Sequence, residues 1–296
     1  ILVADNTKIP YWQTAVQGRQ RAAAEMKVKS ELQGSEKHDP QGEREAFRRA
    51  VAEKPSGILV SPTDAALLTP EIDAAIAQNI PVITIDSDAP DSKRLFFVGT
   101  DNYNTGLMGG KMAAKLLNGK GNVVFFTIKG QNNLTDRLHG YETAFADHTD
   151  MKTMQVIDMN GNSDIAFDSA KKMFESKTKV DAFICLEALS CSAVAAVASR
   201  SGMAGKVTII AMDTDPGTVD WINKGVISAT IAQKPYTMAY YGTKLLDDVH
   251  HHPLNPLTGW DKRVFAPIPS FVDTGTFIVN KENVGSLAQQ PPSSGQ

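Results

Sequence analysis

The sequence predicts an α/β protein of two Rossmann-like lobes, each with a mainly parallel central sheet and helices on both faces. Short apolar runs without polar alternation recur along the chain, as is typical of parallel strands buried on both faces. Segments with helical periodicity separate these runs. Nine apolar runs exceed one sheet of ordinary size, and 296 residues suit two domains rather than one.

The predicted strands and helices alternate along the chain. Asp215-Pro216 and Thr69-Pro70 each place a capping oxygen before a proline at the first helical position. Ser163 is the expected cap of the helix that starts at residue 164. The strands are expected at residues 1–4, 57–61, 80–86, 95–99, 123–128, 154–158, 180–186, 207–212 and 227–232, and the helices at 11–27, 41–53, 70–78, 103–118, 133–147, 164–175, 191–201, 216–223 and 235–249.

Composition and charge exclude several classes of protein. The chain is 42% hydrophobic and 21% charged with a net charge of −3, which is ordinary for a folded protein. No Lys/Arg cluster follows one helix face, so nucleic acid is not an expected partner. No apolar run approaches the roughly 18–20 residues of a membrane span. The chain begins inside a predicted strand, and we expect any targeting segment to be missing from this sequence.

The chain has two cysteines, Cys185 and Cys191, which are too few for a disulfide framework. They could pair in an oxidising compartment. The favoured interpretation treats them as two small apolar side chains, one on a strand and one opening a helix.

Ligands bind outside the carboxyl ends of the strands in sheets of this kind, so the residues that follow each strand are candidate ligand contacts. Asp5 follows the first strand, and Tyr11 and Trp12 open the next helix. Because two adjacent aromatic residues are not expected to face the core together, at least one should lie in the cleft. Asp86 ends another strand, where its carboxylate can accept protons from two hydroxyl groups. A helix cap or a loop salt bridge is the alternative for Asp86 and the favoured interpretation for Asp88.

The second lobe offers a comparable set of strand-end residues. Asp213 ends a strand, and because Asp215 is the better helix cap, Asp213 is expected to point into the crevice. Glu187 follows a strongly apolar run, so it lies at the mouth or binds a partner. Gln233 also ends a strand, and its amide can both donate and accept hydrogen bonds, as a hydroxyl ligand requires. Arg137 lies near a helix start, where positive charge is mildly unfavourable, so we expect a target outside the helix; an ion pair with a nearby acid is the alternative.

Several short motifs occur here in a specific order and spacing, and together they resemble one known family. Over essentially its whole length the chain resembles the ribose-binding group of periplasmic sugar-binding proteins. Their type I periplasmic binding fold is shared with repressors of the lactose-repressor family. The motifs are Ile1-Leu2-Val3 with Pro10-Tyr11-Trp12, residues 57–64 (GILVSPTD), residues 79–86 (NIPVITID), residues 99–102 (GTDN), Arg137 with Gly140, and residues 229–233 (ATIAQ).

The resemblance implies a set of ligand-binding residues, some of which depart from the family pattern. Ribose binders usually have a small hydroxyl residue at the position of Asp5, an arginine at Ser87 and an asparagine at Glu187. A cleft with four acids and one arginine should reject carboxylates and phosphates, because an unpaired buried anion is costly. We therefore expect a small neutral sugar or polyol, with ribose itself disfavoured, and neither a cofactor nor a metal. The implied ligand set is Asp5, Tyr11, Trp12, Asp86, Ser87, Arg137, Asn162, Glu187, Asp213 and Gln233.

The resemblance also implies a chain that crosses three times between the lobes, near residues 102–104, 234–236 and 264–270. The amino-terminal lobe would contain residues 1–103 plus 236–266, and the carboxyl-terminal lobe residues 104–235 plus 267–288. Residues 289–296 are rich in Gln, Pro, Ser and Gly and are expected to form a flexible tail. Closure about such hinges would act as a rigid-body clamp on a ligand in the interlobe cleft.

The implied function is that of an extracytoplasmic solute-binding protein that delivers its sugar to the membrane subunits of an ABC transporter. We expect a monomer in the periplasm or otherwise outside the cytoplasm, and chemoreception in place of uptake stays open. The alternative is the effector-binding domain of a lactose-repressor-type regulator that lacks its DNA-binding head.

An enzyme is disfavoured on the absence of catalytic motifs. The turn after Ala4 contains no glycine of a dinucleotide-binding motif, and the chain has no P-loop, no nucleophile elbow and no His-Glu-x-x-His helix. His250, His251 and His252 are contiguous, so they do not share a helix face and make a poor metal site.

Overall fold

The computed structural model describes residues 1–260 and 262–289, and they form two compact units. The first unit contains Ile1–Asp101, Gly130–Asn133 and Lys234–Gly275. The second contains Asn102–Lys129, Leu134–Gln233 and residues 276–289. The predicted tail at 289–296 lies outside the described residues, apart from Gln289.

The strands and helices alternate as the sequence predicts, with further short strands. The strands are β1 (Leu2–Ala4), β2 (Leu32–Gly34), β3 (Ile58–Val60), β4 (Val82–Ile85), β5 (Phe97–Gly99), β6 (Lys120–Thr127), β7 (Asp150–Asp158), β8 (Ala182–Cys185), β9 (Thr208–Met212), β10 (Ala229–Ala232), β11 (Phe271–Asp273) and β12 (Phe277–Asn280). The helices are α1 (Pro10–Met26), α2 (Pro40–Ala52), α3 (Ala65–Ala77), α4 (Asn102–Leu116), α5 (Asn132–Ala146), α6 (Ser163–Glu175), α7 (Ser190–Arg200), α8 (Pro216–Asn223) and α9 (Pro235–His251), followed by a 3₁₀ helix at Val284–Gln289.

Each unit contains one six-stranded sheet within the described residues. The first sheet has the order β11-β5-β4-β3-β1-β2, and all of its pairs are parallel. The second has the order β12-β10-β9-β8-β6-β7, in which only β12 runs antiparallel to its neighbour. The predicted α/β class with two mainly parallel sheets is therefore what the chain forms, and parallel strands bring their carboxyl ends to one edge of each sheet.

Burial explains why the apolar runs predicted the central strands well. Every residue of β1, β3, β4 and β8 is buried, as expected for strands covered on both faces.

Helices α1 and α9 pack directly on one another in the first unit, where a Cβ on Gly18 would overlap the Tyr236 carbonyl oxygen. Among the described residues, no helix combines the length and apolar character that crossing a membrane requires.

The last crossing between the units lies later in the chain than the sequence indicated. Strand β11 pairs with β5 in the first sheet, and the rings of Phe271 and Phe97 stack with centroids 5.3 Å apart. Strand β12 pairs with β10 in the second sheet. The chain therefore changes unit after Gly275, and the expected assignment of residues 267–275 to the carboxyl-terminal lobe was wrong.

Two predicted helix caps were also wrong. Helix α3 begins at Ala65, because Asp64 Oδ1 accepts a hydrogen bond from the Leu67 amide, and Pro70 lies inside the helix. Helix α6 begins one residue early, because Asn162 and not Ser163 provides the cap. Several residue types can cap a helix, so a proline or serine alone does not fix the start.

The two cysteines form a disulfide bond, so the favoured interpretation as separate apolar side chains was wrong. Strand β8 ends at Cys185 and helix α7 begins at Ser190, and this sharp turn brings the Cα atoms of Cys185 and Cys191 to 5.7 Å. That separation lies within the usual range for a disulfide. Both cysteines are buried.

Candidate functional site

Asp86 is the focus of polar contacts at the carboxyl edge of the first sheet. It follows β4 directly with a φ of 62°, a left-handed conformation that is uncommon for a residue other than glycine. Its Oδ1 accepts a hydrogen bond from the Tyr11 hydroxyl at 2.6 Å, and its Oδ2 accepts one from Ser61 Oγ at 3.0 Å. Asp86 is half-buried, so its carboxylate stays within reach of solvent. We call Tyr11, Ser61 and Asp86 the Asp86 cluster.

Tyr11 and Trp12 both pack into the core of the first unit, so the expectation that one of them leaves the core was wrong. Their exposed fractions are 8% and 6%, and their rings meet edge to face with centroids 5.4 Å apart. The Tyr11 hydroxyl nevertheless reaches Asp86 and also contacts Met238 Sδ at 3.7 Å. The Tyr11 ring therefore packs in the core while its hydroxyl group reaches the edge of the sheet, which explains how both rings are accommodated.

Asp5 is held by the loop that joins β2 to α2. Its Oδ2 lies 2.7 Å from His38 Nδ1, and its Oδ1 accepts a hydrogen bond from the Asp39 amide at 2.9 Å. Asp5 is buried, with 4% of its surface exposed. The structure thus gives Asp5 a role in fixing neighbouring loops, and His38 is a partner that the sequence did not indicate.

Ser87 and Asp88 are the next two residues after Asp86 in the loop that follows β4. Ser87 is buried, and its Oγ has no hydrogen-bond partner within the described part of the chain. Asp88 forms a two-point ion pair with Arg94, in which each nitrogen–oxygen distance is 2.5 Å. Asp88 also accepts a hydrogen bond from Thr84 Oγ1 at 2.6 Å. The salt-bridge interpretation of Asp88 is therefore correct, and its partner Arg94 is a residue that the sequence analysis missed.

Arg137 organises the carboxyl edge of the second sheet. It is almost completely buried, with 1% of its surface exposed. Its Nε donates to Asn102 Oδ1 at 2.9 Å, one terminal nitrogen donates to the Leu186 carbonyl at 2.7 Å, and the other donates to Gln233 Oε1 at 2.5 Å. The predicted target outside its own helix is therefore present, and it consists of three neutral protein oxygens.

Gln233 links Arg137 to Asp213. Its Nε2 lies 3.2 Å from both carboxylate oxygens of Asp213. Asp213 follows β9 with a φ of 64°, so each sheet has one strand-end aspartate in the left-handed region. We call Asn102, Arg137, Asp213 and Gln233 the Arg137 cluster. In it, the Gln233 side chain bridges the Arg137 guanidinium group and the Asp213 carboxylate.

Glu187 forms the amino-terminal cap of α7, so its expected role as a ligand contact is not supported by the geometry. Its carboxylate accepts hydrogen bonds from the amides of Leu189 at 2.5 Å and Ser190 at 3.1 Å, and from the Ser190 hydroxyl. Burial raises the pKa of the Glu187 carboxyl, and the charge of Asp215 adds to the rise. The helix amides explain why an acid is tolerated directly after the apolar strand β8.

Asn162 also serves a helix. Its Oδ1 accepts a hydrogen bond from the Asp164 amide at 3.0 Å, and the residue is exposed. The described contact of Asn162 is thus a helix cap, and the ligand contact expected at this position stays a prediction. Within residues 1–260 and 262–289, no three His, Cys, Asp or Glu side chains are grouped in a way that could hold a metal ion.

Comparison with known proteins identifies the family. The periplasmic binding protein domain matches residues 1–251, which is most of the chain. The chain belongs to the periplasmic binding protein family. The resemblance that the sequence motifs indicated is confirmed, and the two sheets have the fold of these binding proteins.

Individual relatives support the same assignment. The sugar-binding protein of a sugar ABC transporter from Bacillus halodurans is 33% identical, with a TM-score of 0.82 over 96% of this chain and 98% of that one. The ribose import binding protein of Haemophilus influenzae is 25% identical over 81% of both chains. That of Bacillus subtilis is 25% identical over 66% of this chain and 63% of its own length.

Proposed function

We propose that this periplasmic binding protein captures one small neutral sugar or polyol and delivers it to the membrane subunits of an ABC transporter. It acts outside the cytoplasm, in the periplasm where the cell has one, and as a monomer. The relatives named above are binding proteins for ribose import or for a sugar ABC transporter, and this kinship supports the sugar class and the absence of catalysis. None of the relatives named above is a repressor.

The observation that supports this ligand class best is the pair of strand-end aspartates. The hydrogen bonds described at Asp86 come from two hydroxyl groups, and those at Asp213 come from an amide. Donors of this kind orient a carboxylate. Such a carboxylate can accept the hydroxyl protons of a sugar, and it repels carboxylate and phosphate ligands.

We further propose that the Asp86 cluster and the Arg137 cluster contact the same ligand molecule. Asp86 and Asp213 accept hydroxyl protons, and Arg137 and Gln233 donate to oxygens of the sugar. Other residues of the predicted ligand set support the loops around the two clusters, because the contacts of these residues hold helices and turns. They are Asp5, Trp12, Asn162 and Glu187. Ser87 is retained as a ligand contact because it follows Asp86 directly and its buried hydroxyl has no hydrogen-bond partner within the described residues.

Calorimetry with a panel of pentoses, hexoses, polyols and sugar acids tests the ligand class. The expected result is tight binding of one neutral sugar or polyol and none of the sugar acids. Tight binding of a sugar acid, with no response to neutral sugars, would contradict the proposal. Mass spectrometry of small molecules released from the purified protein provides the candidates for the panel.

Substitution tests whether both clusters bind the same ligand. Asp86→Asn and Asp213→Asn are each expected to weaken binding of the same sugar by at least about tenfold, the equivalent of one hydrogen bond to a charged group. Asp168→Asn, an exposed residue on α6, is the matched control and should leave the affinity unchanged. Retention of full affinity by either cluster variant would exclude that cluster from the site.

A further inference from the structure

Glu43 is a completely buried acid beneath the loops of the first sheet's carboxyl edge. It lies in the first turn of α2 and has no exposed surface. Its Oε2 accepts a hydrogen bond from the Thr63 amide at 3.0 Å. Among the residues that the structure describes, its Oε1 has no hydrogen-bond partner. The proposed function assigns this side chain no role.

Loops from three neighbouring strands meet around Glu43. Thr63 lies in the loop after β3, and Asp5 follows β1. Asp5 is joined to the loop after β2, through the His38 ring and the Asp39 amide. The charged groups that act on Glu43 are Asp5 and Asp64, and Asp5 in turn contacts His38 and the Asp39 amide. His38 Nδ1 lies 2.7 Å from Asp5 Oδ2, so the described contact of this ring is with Asp5.

We propose that Glu43 is a positioning residue that holds the loop after β3 against α2 as a neutral carboxylic acid. An ionised Glu43 would leave one charged oxygen buried with no donor, beside two further carboxylates. A neutral carboxyl group avoids this cost and still accepts from Thr63 through its carbonyl oxygen. In agreement, burial raises the pKa of Glu43 well above its usual value, and the charges of Asp5 and Asp64 add to the rise.

The contact between Glu43 and Thr63 reaches the ligand cluster through the backbone. Thr63 lies two residues after Ser61, whose hydroxyl donates to Asp86. By fixing Thr63, Glu43 therefore sets the position from which Ser61 orients the Asp86 carboxylate. The effect on ligand binding rests on the proposed function, whereas the protonation of Glu43 is a property of the folded chain and can be measured without a ligand.

The protonation is tested by unfolding the full chain in urea across a pH series, with Glu43→Gln as the comparison. The folded protein keeps the Glu43 proton after the unfolded chain has released it, so wild-type stability should fall as pH rises above about 4.5. Because the glutamine has no proton to lose, the unfolding constant of the wild type relative to the variant should rise by up to about tenfold per pH unit. Glu45→Gln, on the exposed face of the same helix, is the matched control and should show no such trend.

The proposal would be overturned if the unfolding constant of the wild type relative to Glu43→Gln did not change with pH. It would also be overturned if that ratio changed only as the ratio for the Glu45→Gln control does. Carbon-13 NMR of glutamate-labelled protein gives an independent reading, since the Glu43 side-chain carboxyl signal should stay in its protonated position at neutral pH. A signal that titrates in the ordinary range of an exposed glutamate would equally exclude a neutral Glu43.

The positioning role is tested by calorimetry at neutral pH with the sugar identified from the panel. Glu43→Gln should bind within about twofold of the wild type, because an amide oxygen can replace the acid carbonyl at Thr63. Glu43→Ala should bind at least about tenfold more weakly, the equivalent of one lost hydrogen bond to a buried group. Equal affinity of the alanine variant would overturn the positioning role. If no sugar binds the wild type, the proposed function fails, while the pH series still decides the protonation.

Discussion

The Tyr11 hydroxyl donates to Asp86 Oδ1 across 2.6 Å, although the Tyr11 ring belongs to the hydrophobic core of the first unit. A single side chain thus joins the packing of α1 to the orientation of a strand-end carboxylate. The ring can be kept and the hydroxyl removed, because phenylalanine has nearly the same shape.

Tyr11→Phe is expected to weaken sugar binding by about tenfold, because Asp86 loses a donor that fixes its carboxylate. The free energy of unfolding should fall by about 1.5 kcal/mol, the value of a hydrogen bond to a charged group. Calorimetry and urea unfolding measure the two effects. Tyr241→Phe, an exposed tyrosine on α9, is the control. An unchanged affinity in Tyr11→Phe would show that this hydrogen bond does not serve the ligand.

Arg137→Met should destabilise the second unit and abolish sugar binding. The change leaves the oxygens of Asn102, Leu186 and Gln233 without their donors in a buried setting. The expected loss in the free energy of unfolding is about 3 kcal/mol, since each buried unsatisfied acceptor costs about 1–3 kcal/mol. Arg49→Met, on an exposed face of α2, should change neither property. A stable Arg137→Met protein would mean that solvent replaces the lost contacts.

Reduction of the Cys185–Cys191 disulfide should lower the free energy of unfolding by about 2 kcal/mol, the value expected for closing a short loop. The double variant Cys185→Ala with Cys191→Ala should show the same loss and no response to reductant. Urea unfolding with and without reductant measures the effect, and thiol titration of the unreduced protein provides the control. Two reactive thiols in the denatured, unreduced protein would contradict the bond.

Asp215→Asn should make the stability of the protein less dependent on pH. Burial raises the pKa of Asp215 from 3.8 to about 6, so the folded protein holds this proton in a range where the unfolded chain has lost it. Wild-type stability should therefore fall as pH rises from 3.8 to about 6, and the variant should gain stability relative to it over the same window. Urea unfolding at several pH values measures this difference. A difference in the free energy of unfolding that stays constant with pH would contradict the raised pKa of Asp215. Asp168→Asn, at an exposed position, is the control.

The central strands and their terminal aspartates could be predicted from the sequence, because burial on both faces requires an uninterrupted apolar run. Strand β2 was missed, since its Leu-Gln-Gly sequence lies half-buried at the sheet edge. Strand β11 is likewise a short edge strand, so pairing and not composition assigns it to the first unit.

The roles of individual strand-end residues were harder to predict. Asp213 and Glu187 both follow apolar strands, yet Asp213 binds the Gln233 amide and Glu187 caps a helix. A helix amide and a ligand hydroxyl are donors of the same kind, so the residue type does not distinguish the two roles. Only the position of the following helix distinguishes the two roles, and this position depends on the three-dimensional path of the loop.

The interleaving of the two units has a consequence for the order in which the chain can fold during synthesis. Helix α1 packs against α9, and β11 completes the first sheet, so the amino-terminal segment is translated long before the residues that cover it. The second unit draws most of its strands and helices from one stretch between residues 102 and 233. The first unit therefore cannot complete its sheet until residues beyond 270 have emerged from the ribosome, and the apolar surface of its earlier segments stays partly uncovered until then.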